Sequence, residues 1–297
     1  MMKPFHKTVL AMGVAAMTLA GCNLSGGSAA TTGSGTLSLD ITDAPVDSAT
    51  EVTVIFSGVD IQSANGVRTE IRYDESKAID LLSLQGGITE SLLEEETLPA
   101  GDYEWIRLVL DADLDSASYI VIDEAQYDLF IPSGAQTGLK LVSGFTIPVN
   151  GEVSMTIDFD LRKSIVAPKG NPKANYFLKP ALRLVDNSEV GHIAGVVAST
   201  TLTENCSGAV YVYEGFDIEP GDVGGDGNEP LTSAMVDTDQ TGVDEFEYKV
   251  AFLVAGEYTA SFTCDAALDD PEAADDLVFI GTQNVVVEAG ATATADF

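Results

Sequence analysis

Three cysteines define the sharpest chemistry in this 297-residue chain. Cys22 follows Leu19-Ala20-Gly21 at the end of Thr8 to Ala20, a largely apolar run without a charge, and Lys3 and Lys7 stand before it. A positive start, a short apolar core and small residues before a cut mark a secretory signal. The run has about 13 residues, against the roughly 20 that a membrane-spanning helix needs. The segment is therefore expected to be cleaved rather than kept as an anchor. Cys206 and Cys264 remain, 58 residues apart. In an exported chain such an even pair is expected to form a disulfide, and chain entropy assigns a loop of that size roughly 4 kcal/mol.

Other chemistry is sparse. His192 is the only histidine that cleavage would leave, which argues against zinc and restricts any Ser-His-Asp or Cys-His arrangement to that one residue. It stands at the start of a strand-like run and is expected to pack or to face solvent. Gly224-Gly225-Asp226-Gly227 has no following helix to make a phosphate loop. Paired carboxylates are abundant, but a glycosidase needs two of them flanking a cleft, and the sequence marks none. Asp111, Asp113 and Asp115 have the alternate spacing of a calcium loop. The pattern then departs, with Ser116 at the turn glycine and Ile122 at the bidentate glutamate. Asp222 and Asp226, with Asn228 and Glu229 nearby, form a second acidic loop. Calcium is the one cofactor these loops could take, against the plainer reading of solvated turns. Trp105 is the only tryptophan. It shares a strand face with Arg107, opposite Ile106, Leu108 and Leu110, so it either stacks on a sugar ring or packs under a loop or against Arg107.

The charge narrows the partners. The chain carries 47 acidic and 14 basic residues, a net −33, and removing Lys3 and Lys7 with the signal takes it to −35. Nucleic acid needs a basic face, and anionic headgroups attract basic segments, so neither is expected as a partner. A solvated surface accounts for such acidity, with cation binding as the alternative.

The elements that must position these residues are strands. Asn23 to Gly35 is a tether of small residues with a reach of about 20 Å as a flexible coil. Beyond it Leu37, Leu39 and Ile41 alternate with polar residues. So do Ile106, Leu108 and Leu110, and most clearly Val153, Met155, Ile157, Phe159 and Leu161, the mark of half-buried strands. Short strands between Gly, Pro, Asn and Asp turns indicate antiparallel sandwiches. One short helical piece is expected near Ile88 to Glu96. Pro148 and Pro180 sit in strand-like runs and imply edges or bulges. Asp186-Asn187-Ser188-Glu189 is a polar break that divides residues 36–186 from 190–297. Each part is long enough for its own core. In the second part, Ile218 to Pro230 reads as a long exposed loop. The fold expected is all-β, with two antiparallel β-sandwich domains after a cleaved signal (1–21) and a tether (22–35).

Three resemblances add to this. Leu19-Ala20-Gly21-Cys22 resembles the lipobox of bacterial lipoproteins, which implies a diacylglycerol on the Cys22 thiol. Stable anchoring needs two or more acyl chains, and in that class the new amine is usually acylated as well. Asn23, rather than aspartate, implies the outer membrane. Gly35-Thr36-Leu37-Ser38-Leu39-Asp40-Ile41-Thr42-Asp43-Ala44-Pro45 opens a second match. Ile79-Asp80-Leu81-Leu82-Ser83-Leu84, Leu98-Pro99-Ala100-Gly101-Asp102-Tyr103, Asp158-Phe159-Asp160-Leu161-Arg162-Lys163-Ser164 and Leu178-Lys179-Pro180-Ala181-Leu182-Arg183 continue it. In this order, over about residues 35–186, they resemble the bacterial family called domain of unknown function 4382. That implies a β-sandwich in the envelope and no particular reaction. Ile193-Ala194-Gly195-Val196-Val197, Ala209-Val210-Tyr211-Val212-Tyr213, Ala255-Gly256-Glu257-Tyr258 and Val285-Val286-Val287 resemble the carboxypeptidase-regulatory, prealbumin-like sandwiches, usually structural or adhesive. Related surface domains can carry Lys–Asn cross-links, but Lys249 lies in a middle strand and does not fit that device. The expected role is non-enzymatic: adhesion, scaffolding or ligand binding at the cell envelope, with the membrane held through Cys22 and a glycan or envelope protein as partner. The alternative is a glycan-binding accessory protein of the outer membrane.

Overall fold

The computed structural model describes residues 33–44, 49–110, 118–132, 138–167, 176–225, 227–238, 240 and 242–297. The signal segment, Cys22 and the tether up to residue 32 lie outside the described residues, as do Asp111, Asp113, Asp115 and Asp226. In chain order the strands of the first part are β1 (Ser34–Ala44), β2 (Glu51–Ser63), β3 (Arg68–Asp80), β4 (Glu90–Pro99), β5 (Gly101–Leu110), β6 (Tyr119–Ile122) and β7 (Ala125–Phe130). They continue with β8 (Leu139–Leu141), β9 (Phe145–Ile147), β10 (Glu152–Asp160), β11 (Ile165–Val166), β12 (Tyr176–Leu178) and β13 (Leu182–Asp186). The second part has β14 (Val190–Ala198), β15 (Gly208–Glu214), β16 (Thr232–Val236), β17 (Glu245–Val254), β18 (Gly256–Thr263), β19 (Phe279–Val287) and β20 (Thr292–Thr294). A single helical turn, α1 (Leu161–Ser164), follows β10.

The fold is all-β. A sheet ordered β13-β10-β1-β4 packs over a larger one ordered β11-β12-β7-β6-β2-β5-β8, to which β3 adds on β2 and β9 on β5. Leu37, Leu39 and Ile41 from β1 and Ile157 and Phe159 from β10 bury completely in the core between them, against Val54, Phe56, Ile106 and Leu108. The period-two spacing of these residues puts them on one face of each strand. The second part repeats the plan with sheets β17-β14-β20 and β16-β15-β18-β19, around Ile193, Val197, Val210, Val212, Leu253 and Phe262. Cys206 and Cys264 are joined in a disulfide, which ties the approach to β15 to the residue after β18. Pairing is mostly antiparallel, but β1–β10, β7–β12 and β14–β20 are parallel. Parallel neighbours need a long crossover, and between β1 and β10 almost the whole larger sheet supplies it.

Several local expectations change. Ile88 to Glu96 is not helical: residues from Glu90 form β4, antiparallel to β1, with register shifts between Leu37 and Asp40 and with Glu95 at φ 47°. Adjacent Leu92 and Leu93 are both buried, next to the register shift where the bulge turns the strand. Pro148 and Pro180 fall just outside strands, after β9 and between β12 and β13. The first strand begins at Ser34, with Gly35 opposite Leu98, so the last tether residues are already sheet. The loop from Ile218 to Pro230 is not wholly exposed. Val223 is buried with Ala209, Tyr211, Tyr213 and Ala266 in a second small core on the outer face of β15. Finally, β10 is buried on both faces over its last residues, including Thr156, Asp158 and Asp160. Arg183 of neighbouring β13 covers Asp158, its Nε donating to Oδ2 at 2.8 Å.

The two sandwiches meet through cations. Asp160 caps α1 by accepting from the Lys163 amide. Arg162, 3% exposed, donates from Nη1 to the Ala266 carbonyl at 2.8 Å and from Nε to the Ser233 hydroxyl at 3.4 Å. Its guanidinium lies 5.4 Å from the Tyr211 ring centre. Lys163 donates to the Leu231 carbonyl at 3.1 Å, and Lys179 pairs with Glu272 at 2.8 Å.

Candidate ligand-binding face

Trp105 stands on the outward face of β5, in the larger sheet of the first sandwich. Antiparallel register decides its neighbours, because residues directly opposite each other share a face. Gln62 of β2 lies opposite both Trp105 and Arg68, Asp60 lies opposite both Arg107 and Glu70, and Arg107 lies opposite Lys140 of β8. Two cations flank the indole closely: Lys140 Nζ is 4.6 Å and Arg107 Cζ 4.9 Å from the ring centre, with Arg68 Cζ at 6.0 Å. Of the two readings of Trp105, packing against Arg107 is therefore present. Asp60 sits beneath them, 1% exposed. It pairs with Arg68, with Arg72 at 2.7 Å and with Arg107 at 3.9 Å, while Glu70 holds Arg68 at 3.2 Å. A buried carboxylate is tolerated when paired, and here three guanidinium groups share it.

A concave feature lies between the sandwiches, a cavity of about 810 Å³. Thr42, Asp43 and Asp158 and the turn at Gln85–Gly87 form one wall, and β16 and β17 residues the other. Its described lining holds neither cysteine nor histidine, and Lys249 is its one cation. Asp158 is engaged with Arg183. Thr42 donates to the Leu84 and Ile88 carbonyls.

His192 is positioned as a packing residue: its Nδ1 accepts from the Phe252 amide at 3.2 Å and its ring meets the Phe252 ring edge-on. Burial, and then the Lys249 charge, hold its pKa below the ordinary imidazole value. Asp222 has acidic company that sequence spacing did not reveal. A carboxylate oxygen from each of Asp222, Asp269 and Asp275 lies within 4.8 Å of the others. Those groups organise the loop: Asp222 accepts from the Asp275 amide at 2.5 Å, and Asp269 from the Val223 amide at 3.1 Å and from the Tyr211 hydroxyl. Burial raises the Asp269 pKa against the opposing Tyr211 bond.

Residues 34–180 match the family described as Domain of unknown function (DUF4382). The match spans β1 to β12, and so includes the Trp105 face and α1. No curated protein matches. A leucine-rich repeat protein from Bacteroides thetaiotaomicron is similar at 12% identity and TM-score 0.21, over 90% of this chain and 26% of the other. The chain thus spans about a quarter of that protein's length. A minor pilin of Streptococcus agalactiae is similar at 10% identity and TM-score 0.21, over 88% and 94% of the two chains. A major pilin of Streptococcus pyogenes follows at 9% identity and TM-score 0.16, over 89% and 99%. Likeness at these scores carries no argument about fold or role.

Proposed function

We propose that this chain is a non-enzymatic lipoprotein of the bacterial cell envelope, lipidated at Cys22, whose sandwiches act in adhesion, scaffolding or ligand binding. One observation carries the reading: the Trp105 face gathers cations with available donors on a chain that is otherwise strongly acidic, whereas His192 is occupied by backbone and ring contacts. A face of that kind recognises a partner and performs no reaction. The lipobox supports a lipid anchor, Asn23 in place of aspartate supports the outer membrane as the location, and the acidity opposes nucleic acid as a partner. The test expresses the full chain and Cys22→Ala in a Gram-negative host. Outer-membrane fractions are expected to hold the first and lose the second, and cells carrying the first are expected to attach better to a polysaccharide-coated surface. Equal partitioning of both chains rejects the anchor. Hydrolysis of a polymeric substrate, abolished by one carboxylate substitution, rejects the non-enzymatic role.

The alternative, a glycan-binding accessory protein, is favoured by the same face, since an indole beside donors suits a sugar ring.

A further inference from the structure

The chain has 14 lysines and arginines against 47 acidic residues, yet four of those cations converge on one sheet face: Arg68, Arg72, Arg107 and Lys140. Asp60 and Glu70 oppose them, and Glu104 is exposed beside Trp105, so the face stays net positive. At about 0.15 M salt the Debye length is roughly 8 Å, and distant carboxylates cannot cancel it. The four cations differ in what they hold. Arg68 and Arg72 are bonded to Asp60. Arg107 makes no hydrogen bond among the described residues, its Nε is buried without a partner, and its one ion pair is the long contact to Asp60. Lys140 is exposed and has neither hydrogen bond nor ion pair among the described residues, only the contact with the Trp105 ring.

We infer that this face binds an acidic saccharide, with a carboxylate or sulfate group between Arg107 and Lys140 and the sugar ring against Trp105. The inference rests on the binding role proposed above. A guanidinium presents a fork of donors that matches an oxyanion, and lysine adds a mobile point charge. The half-buried indole supplies the apolar surface that a pyranose ring needs, and it already holds both cations within 5 Å of its centre. Inorganic anions would use the charges without the ring, and a neutral sugar the ring without the charges. An acidic sugar uses both.

Trp105 is the only tryptophan, so the fluorescence of the purified full chain, excited at the red edge where its nine tyrosines do not absorb, reports on this face. Titration with polygalacturonate or dextran sulfate is expected to change it saturably, and neutral dextran at equal concentration is expected to leave it unchanged. Lys140→Gln, on an exposed side chain, should weaken the acidic polymers about tenfold, the effect of losing one charge-assisted contact. Arg107→Gln should do at least as much. The inference is overturned by no saturable change with either acidic polymer, by an equal response to dextran, or by unchanged affinity in Lys140→Gln. It is also overturned if sodium sulfate matches the polymers per anion, or if single-stranded DNA binds as tightly, because the face would then be an unselective anion surface. Failure here with attachment to neutral polysaccharide intact would reject the acidic saccharide and leave the binding role standing.

Discussion

Arg162 and Arg107 stand on the same sandwich and have opposite fates. Arg162 projects from α1 into the second sandwich, nearly fully buried, with its nitrogens on Ala266 and Ser233 and its face on Tyr211. Arg107 lies on an open sheet face, its side chain 20% exposed, over an indole and without a hydrogen bond among the described residues. Cations are scarce in this chain, and the structure uses them differently. Arg162, Lys163 and Lys179 spend their donors on the second sandwich, whereas Arg107 and Lys140 keep theirs on the outward face, beside Arg68 and Arg72, which Asp60 holds. Desolvation explains the difference. A guanidinium taken out of water without acceptors is strongly penalised, so the buried arginine must be bonded, while Arg107, 20% exposed, leaves only its Nε buried and unpaired and can exchange the water on its other nitrogens for a ligand.

The largest effect should come from breaking the inward set. Arg162→Met keeps the packing volume but leaves the Ala266 carbonyl without its donor. Stability to urea should fall by about 3 kcal/mol, near the upper range for a charged hydrogen-bonding group. An unchanged midpoint would erase the distinction between the two arginines. A smaller effect is expected at the base of the outward set. Asp60→Asn removes the carboxylate that three guanidinium groups share. Because those groups are partly exposed, the loss should be about 1–2 kcal/mol, less than for a fully buried pair. The same substitution should tighten binding of acidic polymers, since the face becomes more positive. A loss of stability with no gain in affinity would mean that Asp60 organises the face rather than balancing its charge.

The smallest effect concerns His192, which lies away from both sets. Its pKa is depressed in the folded chain by burial and by Lys249. The unfolded chain therefore takes up the proton first as pH falls. Stability is fully present above the unfolded imidazole value of about 6.5 and declines as pH drops from there through the folded value. Melting temperatures at pH 7.5 and pH 5.5 should differ more for the wild-type chain than for His192→Gln. Equal differences would assign that acid sensitivity to the carboxylates.

Much of this was legible in the sequence, for reasons that also explain what was not. Alternation in Val153 to Leu161 and in Ile106 to Leu110 marked β10 and β5, because burying one strand face demands period two. The same alternation put Trp105 and Arg107 together. Arg68, Arg72 and Lys140 could not be found that way. They come from β3 and β8, and cross-strand register is a tertiary property that no local pattern encodes. Moreover β3 reads as a polar segment, since among the described strands it pairs only with β2 and has little apolar surface to bury. Charged side chains on an exposed edge also oppose unwanted strand pairing. The helix expected near Ile88 to Glu96 failed where the contacts of β1 outweighed local helix propensity. Asp269 and Asp275 join Asp222 only because the loop after β15 folds back over Tyr211 and Tyr213. The disulfide was readable from the even pair of cysteines that an exported chain keeps once Cys22 is set aside.

The place of β1 in its sheet has a mechanical consequence. It is an interior strand, flanked by β4 on one side and by β10 on the other, with partners from Ser34 onward. A pull applied at Ser34 along the strand cannot peel it from an edge one bond at a time. It must slide β1 past both neighbours together, so the bonds of the two ladders share the load and yield as a set. The first strand of the fold is thus arranged as a clamp against force.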